Sequence, residues 1–292
     1  LPATPAWYTS ISDISQKQVG LYAQDEITVG NWRGSLAIRQ DWTEQTGTKF
    51  TNFDGDTPID QSDSATTGRV GVGYVLANGV MPYASYSTSF DPTIGIDDTT
   101  GETLDPTEGK QWEVGVKYQP AGFDGLFSAA VYDLTQQNLV RNLGQGRRRQ
   151  VGEVRSKGLE LEATAALSAA WDLRASYAFN ETEQKGGPED GLEMPNAPRH
   201  LASLWLDRDF GNGLRAGGGI RHIGERKGDF GNTFDLDSVT LVDLAATYTR
   251  GNIEASVNLN NVTDEVYLAN CGSFGCYYGE GRSVAAKVAY TW

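Results

Sequence analysis

The sequence predicts an all-β fold and, within that class, an antiparallel transmembrane β-barrel. Three observations carry this prediction. Apolar and polar residues alternate with a period of two along many segments, which is typical of strands with two different faces. Most of these segments run ten to thirteen residues, whereas strands in soluble proteins average about 5–6 residues and tilted membrane-spanning strands need about 9–11. The connections between the segments alternate between short and long.

Thirteen segments of this kind follow one another along the chain. The predicted strands start near residues 18, 32, 65, 80, 109, 124, 148, 171, 197, 213, 239, 252 and 281. The alternation is clearest in the last one, where Val284 and Val288 share one face and Lys287 lies on the other. We expect the apolar faces to point to lipid, the polar faces to line a wet lumen, and aromatic residues at the strand ends to lie at the membrane interfaces.

The connections predict which side of the membrane each strand end faces. The short ones cover residues 29–31, 77–79, 120–124, 168–170, 211–212 and 250–252, and the long ones cover residues 44–64, 91–108, 139–147, 182–196, 225–238 and 262–280. Short periplasmic turns and long extracellular loops are typical of outer-membrane barrels. The alternative from a different class is a secreted β-sandwich, either an adhesin or an enzyme. It rarely keeps this alternation over six hairpins, and it would be soluble without detergent.

Composition narrows the function classes further. The formal net charge of −14 argues against a nucleic-acid partner, because duplex binders need a concentrated basic patch. No run of 18 apolar residues is present, so we expect no membrane-spanning helix. His200 and His222 lack the spacing of a metal site, and no Ser, His and Asp set or phosphate-binding loop stands out. We therefore expect no catalytic residues and no metal ligands.

The only two cysteines, Cys271 and Cys276, lie five positions apart. Such a pair suggests an oxidising compartment, and the flexible GSFG segment between them can bring the two Cβ atoms together. A disulfide is the favoured interpretation, and two free thiols are the alternative. A redox Cys-x-x-Cys motif or a zinc site needs a different spacing or more ligands.

Several stretches resemble one known family. The segment NNVTDEVY (260–267) is followed by the cysteine pair, by YGEGR (278–282) and by a final strand that ends on an aromatic residue. This ending is similar to the close of the TonB-dependent ferric-siderophore receptors of the Gram-negative outer membrane. Further similar stretches cover residues 20–42, 82–95, 104–120, 152–163 and 196–210. Six pieces in the family's order make the resemblance specific.

The resemblance implies a 22-stranded barrel preceded by an N-terminal plug domain. The thirteen predicted strands would be about the last 13 of the 22, so residues 1–292 would be the C-terminal portion of the barrel, with no plug domain in this chain. The cargo would be a ferric siderophore, and the TonB complex would supply energy through the missing N-terminal region. The barrel would lie in outer-membrane lipid and lipopolysaccharide. The iron would travel chelated inside its ligand, without a cofactor bound by the protein.

Other functions stay open at this stage. A receptor of the same architecture could carry haem, cobalamin or a glycan. A passive porin is a further alternative, although it would need a complete barrel with an even number of strands, and thirteen is odd. Neither the loops nor the composition names the cargo.

Candidate ligand contacts lie on the predicted outer loops. They are Phe274, Tyr277 and Tyr278 in the last loop, Trp7 and Tyr8 in another loop, and Arg147, Arg148 and Arg149 in a basic tip. A rigid amphipathic ring can pack on a chelate and hydrogen-bond it, although the rings of the last loop could instead pack that loop or cover the disulfide. The arginines could attract an anionic chelate, pair with lipopolysaccharide phosphates or be solvated. The resemblance further implies that a Cys271–Cys276 disulfide staples the last loop and that Trp292 is the terminal aromatic read by the barrel-assembly machinery.

Overall fold

The computed structural model describes residues 10–52, 55–144, 147–272 and 275–292, and the regular elements in these ranges are strands. The first ten are β1 (Ser10–Val29), β2 (Trp32–Thr51), β3 (Gly55–Tyr74), β4 (Val80–Asp91), β5 (Thr107–Tyr118), β6 (Gly125–Gln137), β7 (Val140–Gly144), β8 (Arg147–Gln150), β9 (Glu153–Ser168) and β10 (Trp171–Lys185). The others are β11 (His200–Asp209), β12 (Leu214–Ile223), β13 (Arg226–Lys227), β14 (Asp235–Leu236), β15 (Val239–Arg250), β16 (Ile253–Asn260), β17 (Leu268–Gly272), β18 (Gly275–Tyr278) and β19 (Ser283–Tyr290). In the described ranges, no helix is long and apolar enough to cross a membrane.

Thirteen of these strands form one antiparallel sheet. Its order is β1-β2-β3-β4-β5-β6-β9-β10-β11-β12-β15-β16-β19, so strands that follow one another around the sheet also follow one another along the chain. The other six strands form three hairpins, β7–β8, β13–β14 and β17–β18, and each hairpin lies within a long connection. The prediction of 13 antiparallel strands is confirmed, and short and long connections alternate as predicted except where β2 meets β3.

The predicted loop over residues 44–64 is wrong. β2 and β3 stay paired from Trp32 opposite Tyr74 to Thr51 opposite Gly55, so both strands run well past the predicted span. β1 is longer for the same reason, because it pairs with β2 along its whole length. These extensions are rich in Thr, Ser, Asp and Gln. Their polarity reflects a hairpin that continues outside lipid rather than a loss of strand structure.

The strand predicted to start near residue 148 begins later, at Glu153. Residues 147–150 instead form β8, which pairs back on β7. Gln150 explains the difference, because its Nε2 atom donates to the carbonyl oxygens of Asp105 at 2.7 Å and Asn138 at 3.0 Å. Contacts among the outer connections therefore decide the conformation here, and the main sheet resumes three residues later.

The strand register separates the two faces of the sheet. Directly opposed residues of an antiparallel pair point to the same side, and Val257 lies opposite Ala246 on β15 and Ala286 on β19. The neighbouring Asn258 points to the other side. Large apolar side chains on the Val257 side are exposed along the sheet, including Leu36, Leu204, Leu244, Tyr248, Val284 and Val288. An apolar surface of this extent is a membrane-facing surface.

The opposite face of the sheet is polar, as predicted for a wet lumen. The guanidinium of Arg221 on β12 donates to both carboxylate oxygens of Asp243 on β15, at 2.6 and 3.1 Å. The hydroxyl of Tyr83 on β4 donates to Glu113 on β5 at 2.8 Å. These pairs bridge neighbouring strands, so the inner wall is held together by side-chain bonds in addition to the backbone ladder.

The packed apolar core lies beneath the long connections rather than within the wall of the sheet. Ile59, Ile96 and Leu104 are only 2%, 5% and 0% exposed, and Leu236 and Leu241 are 2% and 1% exposed. Ile96 and Leu104 belong to the connection between β4 and β5, and Leu236 belongs to β14. The outer connections are thus folded onto the inner wall and form a structured roof.

The two faces predict opposite outcomes for neighbouring substitutions on β16. We expect Val257→Arg to destabilise the barrel by about 2–4 kcal/mol, because it places a charge in the apolar part of the membrane. Asn258→Arg is the matched control, since that exposed side chain faces the lumen. Urea unfolding of the receptor in lipid vesicles measures both. Equal stability of the two variants would contradict the assignment of the faces.

Candidate ligand-binding mouth

The long connections leave the sheet at the end opposite the short turns and form what we call the extracellular mouth. Its described part comprises residues 92–106, 138–144, 147–152, 186–199, 224–238, 261–272 and 275–282, together with the outer ends of β2 and β3. Two groups of contacts organise it. One group joins the connection 92–106 to β2 and to the β7–β8 hairpin, and the other joins the connection 186–199 to the β13–β14 and β17–β18 hairpins.

Two adjacent aspartates fix the first group. Asp98 accepts a hydrogen bond from the backbone N–H of Arg148 at 2.7 Å and forms an ion pair with Lys49 on β2, whose side chain is 3% exposed. Asp97 accepts from the backbone N–H groups of Gln150 and Thr99, at 2.7 Å each. Residues 97 and 98 therefore tie one connection to its neighbours on both sides.

The surroundings of Asp97 favour its charged form. Burial is the largest single influence and would raise the pKa of the carboxyl group, but the N–H groups of Gln150, Thr99 and Thr100 together outweigh it. They hold the pKa of Asp97 below its ordinary value, because donors stabilise the carboxylate rather than the neutral acid. The connection 92–106 thus depends on an ionised side chain.

The structure separates the three arginines of the predicted basic tip. Arg147 is exposed. Arg148 uses its backbone to pair with Asp98, and its guanidinium lies against Gly95, at a position that a side chain on residue 95 would occupy. Arg149 donates to Glu189 at 3.4 Å. Arg147 is therefore the exposed member of the three, whereas Arg148 and Arg149 are half-buried.

Glu189 links the β7–β8 hairpin to the connection 186–199. Its carboxylate, 20% exposed, accepts from Arg141 at 2.8 Å as well as from Arg149. The guanidinium of Arg141 also lies 4.1 Å from the ring centroid of Phe230, a cation–π contact that adds to the ion pair. Arg141 and Arg149 thus join neighbouring loops through one carboxylate.

The disulfide hairpin β17–β18 is held from two sides. Asn196 donates from Nδ2 to the carbonyl oxygen of Cys271 at 2.9 Å and accepts from the Cys271 N–H at 3.0 Å. Arg226 donates from Nη2 to the carbonyl oxygens of Leu268 and Ala269, at 2.6 Å each. Arg226 is 4% exposed, and burial lowers the pKa of its guanidinium. The hairpin is consequently bonded to two other connections, 186–199 and 224–238.

The last connection places two aromatic rings at the surface of the mouth. The predicted disulfide between Cys271 and Cys276 is present and joins directly opposed residues of β17 and β18. Tyr277 and Tyr278 are 56% and 73% exposed, so neither ring is used to pack the loop. Of the other predicted contacts, Phe274, Trp7 and Tyr8 lie outside the described residues.

A sequence model described as TonB dependent receptor-like, beta-barrel matches residues 2–262. The chain belongs to the TonB-dependent receptor family. Its barrel is an outer-membrane fold that crosses the membrane repeatedly with strands, and members of the family are transport receptors. The resemblance found in the sequence is confirmed.

Characterised receptors of this family match almost the whole chain. The chain is 38% identical to the ferrioxamine B receptor of Salmonella typhimurium over 305 residues, which covers 99% of this chain and 43% of the relative. It is 36% identical to the ferrichrome outer membrane transporter/phage receptor of Escherichia coli, with coverage of 94% and 38%. The crystal structure of the siderophore receptor PiuA from Acinetobacter baumannii superimposes with a TM-score of 0.81 at 24% identity, covering 96% of this chain and 44% of that chain. The chain therefore spans less than half the length of these TonB-dependent receptors.

The structure gives a physical reason for the spacing of the NNVTDEVY and YGEGR segments. Asn261, 2% exposed, donates to the carbonyl oxygens of Glu265 and Glu280. Asp264 accepts from the backbone N–H of Arg282 at 2.8 Å and forms an ion pair with its guanidinium at 3.5 Å. These bonds close the two ends of the last connection onto each other. The matching residues are therefore structural and lie at the base of the disulfide hairpin β17–β18.

Tyr267 and Gly279 complete this closure. The N–H of Gly279 donates to the carbonyl oxygen of Tyr267 at 2.8 Å, and a Cβ atom on residue 279 would overlap the Tyr267 ring. A glycine is needed here because of that close approach. The ring consequently covers the backbone where β18 leaves the hairpin.

The two histidines take ordinary positions on β11 and β12, and Trp292 follows the end of β19. His200 hydrogen-bonds the hydroxyl of Tyr177 at 2.9 Å, and His222 hydrogen-bonds that of Thr240 at 2.9 Å. In the described part of the chain, no group of three or more His, Cys, Asp and Glu side chains could hold a metal ion. Trp292 is 98% exposed, and its role in barrel assembly stays a prediction.

The bonds by which Asn196 and Arg226 hold the disulfide hairpin are not predictable from the sequence. The bonds of Asn196 reach 75 residues along the chain to Cys271, and those of Arg226 reach 42 residues to Leu268. Contacts at such separations leave no periodic pattern. One weak signal exists for Asn196, because it begins the stretch 196–210 that resembles the family.

The lowered pKa of Asp97 predicts a pH-dependent loop. Its carboxylate contacts stabilise the connection 92–106 above about pH 3.9, the ordinary pKa of aspartate, and this stabilisation is lost as the pH falls through the lowered value. We expect Asp97→Asn to speed amide hydrogen exchange in residues 92–106 at pH 7, with a smaller difference from wild type at pH 3 after correction for intrinsic rates. Asp105→Asn changes an exposed carboxylate in the same loop and serves as the control. A difference that grows towards acid pH would contradict the assignment.

A pair of glycine substitutions tests the closure of the last connection. We expect Gly279→Ala to destabilise it by about 1–3 kcal/mol, because the new methyl group displaces the ring of Tyr267. Gly272→Ala in the same hairpin meets no atom within 4 Å and is expected to be neutral. Thermolysin cleavage of the folded receptor within residues 261–282 measures the difference. If both variants resist thermolysin as well as wild type does, the contact between Tyr267 and Gly279 does not stabilise the last connection.

Proposed function

We propose that this chain is the C-terminal portion of the barrel domain of an outer-membrane receptor that binds a ferric siderophore at the cell surface and imports it with TonB-coupled energy. The observation that carries the proposal is the 38% identity to the ferrioxamine B receptor along 99% of the chain. The 36% identity to the ferrichrome transporter supports the same class of cargo. The roofed mouth of the barrel is a suitable place for such a ligand.

The exposed rings of Tyr277 and Tyr278 are the proposed ligand contacts. A tyrosine ring supplies a large rigid surface for packing on a chelate, and its hydroxyl supplies a hydrogen bond. The iron stays within its own ligand, so the protein needs no metal-ligating side chains and no cofactor. The receptor thus binds and moves an intact complex, and no catalytic step is required of it.

Arg147 carries the proposed electrostatic contribution. It is exposed, whereas Arg149 is engaged by Glu189 and Arg148 lies against Gly95. An exposed guanidinium at the mouth favours an anionic chelate at low ionic strength. Lipopolysaccharide phosphates and outer-membrane lipid remain proposed partners of the surrounding surface.

A working receptor requires parts beyond these strands. The Salmonella relative is more than twice as long as the region that matches this chain. We propose that the full-length receptor likewise contains the remaining barrel strands and a plug domain. The TonB complex would act through that N-terminal region. All experiments on function therefore use the full-length receptor.

Transport assays test the proposal directly. The full-length receptor is produced in cells that lack their own siderophore receptors, with and without TonB, and uptake of ⁵⁵Fe-labelled ferrioxamine B and ferrichrome is measured. We expect saturable uptake of at least one of them that requires TonB. Uptake independent of TonB would favour a passive pore, and uptake of haem or cobalamin but neither iron chelate would favour another cargo.

Binding assays test the proposed contacts. We expect the double variant Tyr277→Ala, Tyr278→Ala to bind the transported chelate about tenfold or more weakly, because it loses two exposed aromatic contacts. Tyr248→Ala is the matched control, since this tyrosine lies on the membrane-facing side of β15. Tryptophan fluorescence titration of the purified receptor gives the affinities. Unchanged affinity in the double variant would remove these residues from the site.

A further inference from the structure

Arg226 is an unusual buried cation. It is 4% exposed, and among the described residues it forms no ion pair with a carboxylate. It donates instead to three backbone carbonyl oxygens, those of Leu268 and Ala269 at 2.6 Å each and that of Asp237 at 3.5 Å. Burying a charge without a counter-ion is costly. The hydrogen bonds from the guanidinium to these carbonyl oxygens offset that cost.

Those bonds lead to the proposed ligand contacts. Leu268, which accepts from Arg226, lies directly opposite Tyr278 in the β17–β18 hairpin, and Asn270 lies opposite Tyr277. The position of the first strand thus sets the position of both rings on the second. The disulfide fixes the far end of the hairpin, and Arg226 fixes the end nearer the barrel.

Asn196 acts on the same strand from a second connection, residues 186–199. Its side-chain amide forms a reciprocal pair with the backbone of Cys271, and its own N–H donates to the carbonyl oxygen of Lys227 at 2.8 Å. Asn196 adopts a φ of 58°, a left-handed conformation that asparagine tolerates better than most residues. Arg226 and Asn196 therefore bind three residues of one strand, Leu268, Ala269 and Cys271, from two different connections.

We propose that Arg226 is a positioning residue for ligand binding, which places Tyr277 and Tyr278 by holding the backbone of residues 268–269, with Asn196 as its partner. The proposal rests on the proposed function and deepens it. Arginine suits the task because one guanidinium spans carbonyl oxygens on two separate segments, residues 268–269 and Asp237. A lysine ammonium is a compact point charge on a flexible four-carbon stem and lacks the planar fork that spans both segments.

The experiment compares neighbouring variants of the full-length receptor. Arg226→Gln removes the contacts to the hairpin, and Arg226→Lys keeps the charge without the fork. Lys227→Gln is the matched control. It also removes one positive charge, but the Lys227 side chain pairs with Asp235 and not with the hairpin. Amide hydrogen exchange of residues 268–272 and 275–278 and the affinity for ferrioxamine B and ferrichrome are measured on each.

We expect Arg226→Gln to speed exchange in the hairpin about tenfold or more and to weaken binding of the transported chelate about tenfold. Arg226→Lys is expected between Arg226→Gln and wild type, and Lys227→Gln is expected to match wild type in both measurements. Combined with Tyr277→Ala and Tyr278→Ala, Arg226→Gln should cause little further loss of affinity, because both changes remove the same contacts.

The outcomes separate this inference from the function on which it rests. Exchange unchanged in Arg226→Gln, unchanged affinity despite a loosened hairpin, or fully additive losses with the tyrosine variants would each overturn the positioning role. A wild-type receptor that binds neither chelate would overturn the proposed function, and the exchange rates would still decide whether Arg226 holds the hairpin. Should Arg226→Gln fail to assemble in the outer membrane, Arg226→Lys and Asn196→Ala carry the same test.

Discussion

Within lipid, each backbone N–H and C=O group of the chain has to find its partner on a neighbouring strand, because the hydrocarbon offers none. This constraint explains the long ladders, the tight turns at one end and the strict separation of faces. Val257 and Asn258 are adjacent in sequence yet face different environments. Outside the membrane the constraint is relaxed, and the chain there can build hairpins, reciprocal side-chain bonds and buried charges.

The same constraint decides how much of the fold can be read from sequence. The thirteen strands could be predicted, because a period of two follows directly from a sheet with one lipid face and one wet face. The loop predicted over residues 44–64 was wrong because a strand that has left the membrane no longer needs an apolar face. The three loop hairpins could not be predicted for a related reason. In β8, for example, Gln150 and Arg148 contact another loop, and such contacts leave no periodic pattern in the local sequence.

The candidate site divides in a similar way. The disulfide could be predicted because its two cysteines are close in sequence, and the exposed tyrosines follow from their place beside it. The arginine tip looked uniform in sequence, but the structure uses Arg148 and Arg149 to contact neighbouring loops and leaves Arg147 exposed. The bonds by which Asn196 and Arg226 hold the disulfide hairpin could not be predicted, because their partners are distant along the chain.

The contacts of Arg226 also limit how such receptors can exchange specificity. A hairpin transplanted from a relative would have to offer carbonyl oxygens at the positions of Leu268 and Ala269, or the buried guanidinium would lose two of its three acceptors. Asn196 imposes a similar condition through Cys271. The segment that has to be exchanged is therefore larger than one loop. Residues 186–199, 224–238 and 261–282 would need to be exchanged together for a chimeric receptor to keep a well-formed mouth.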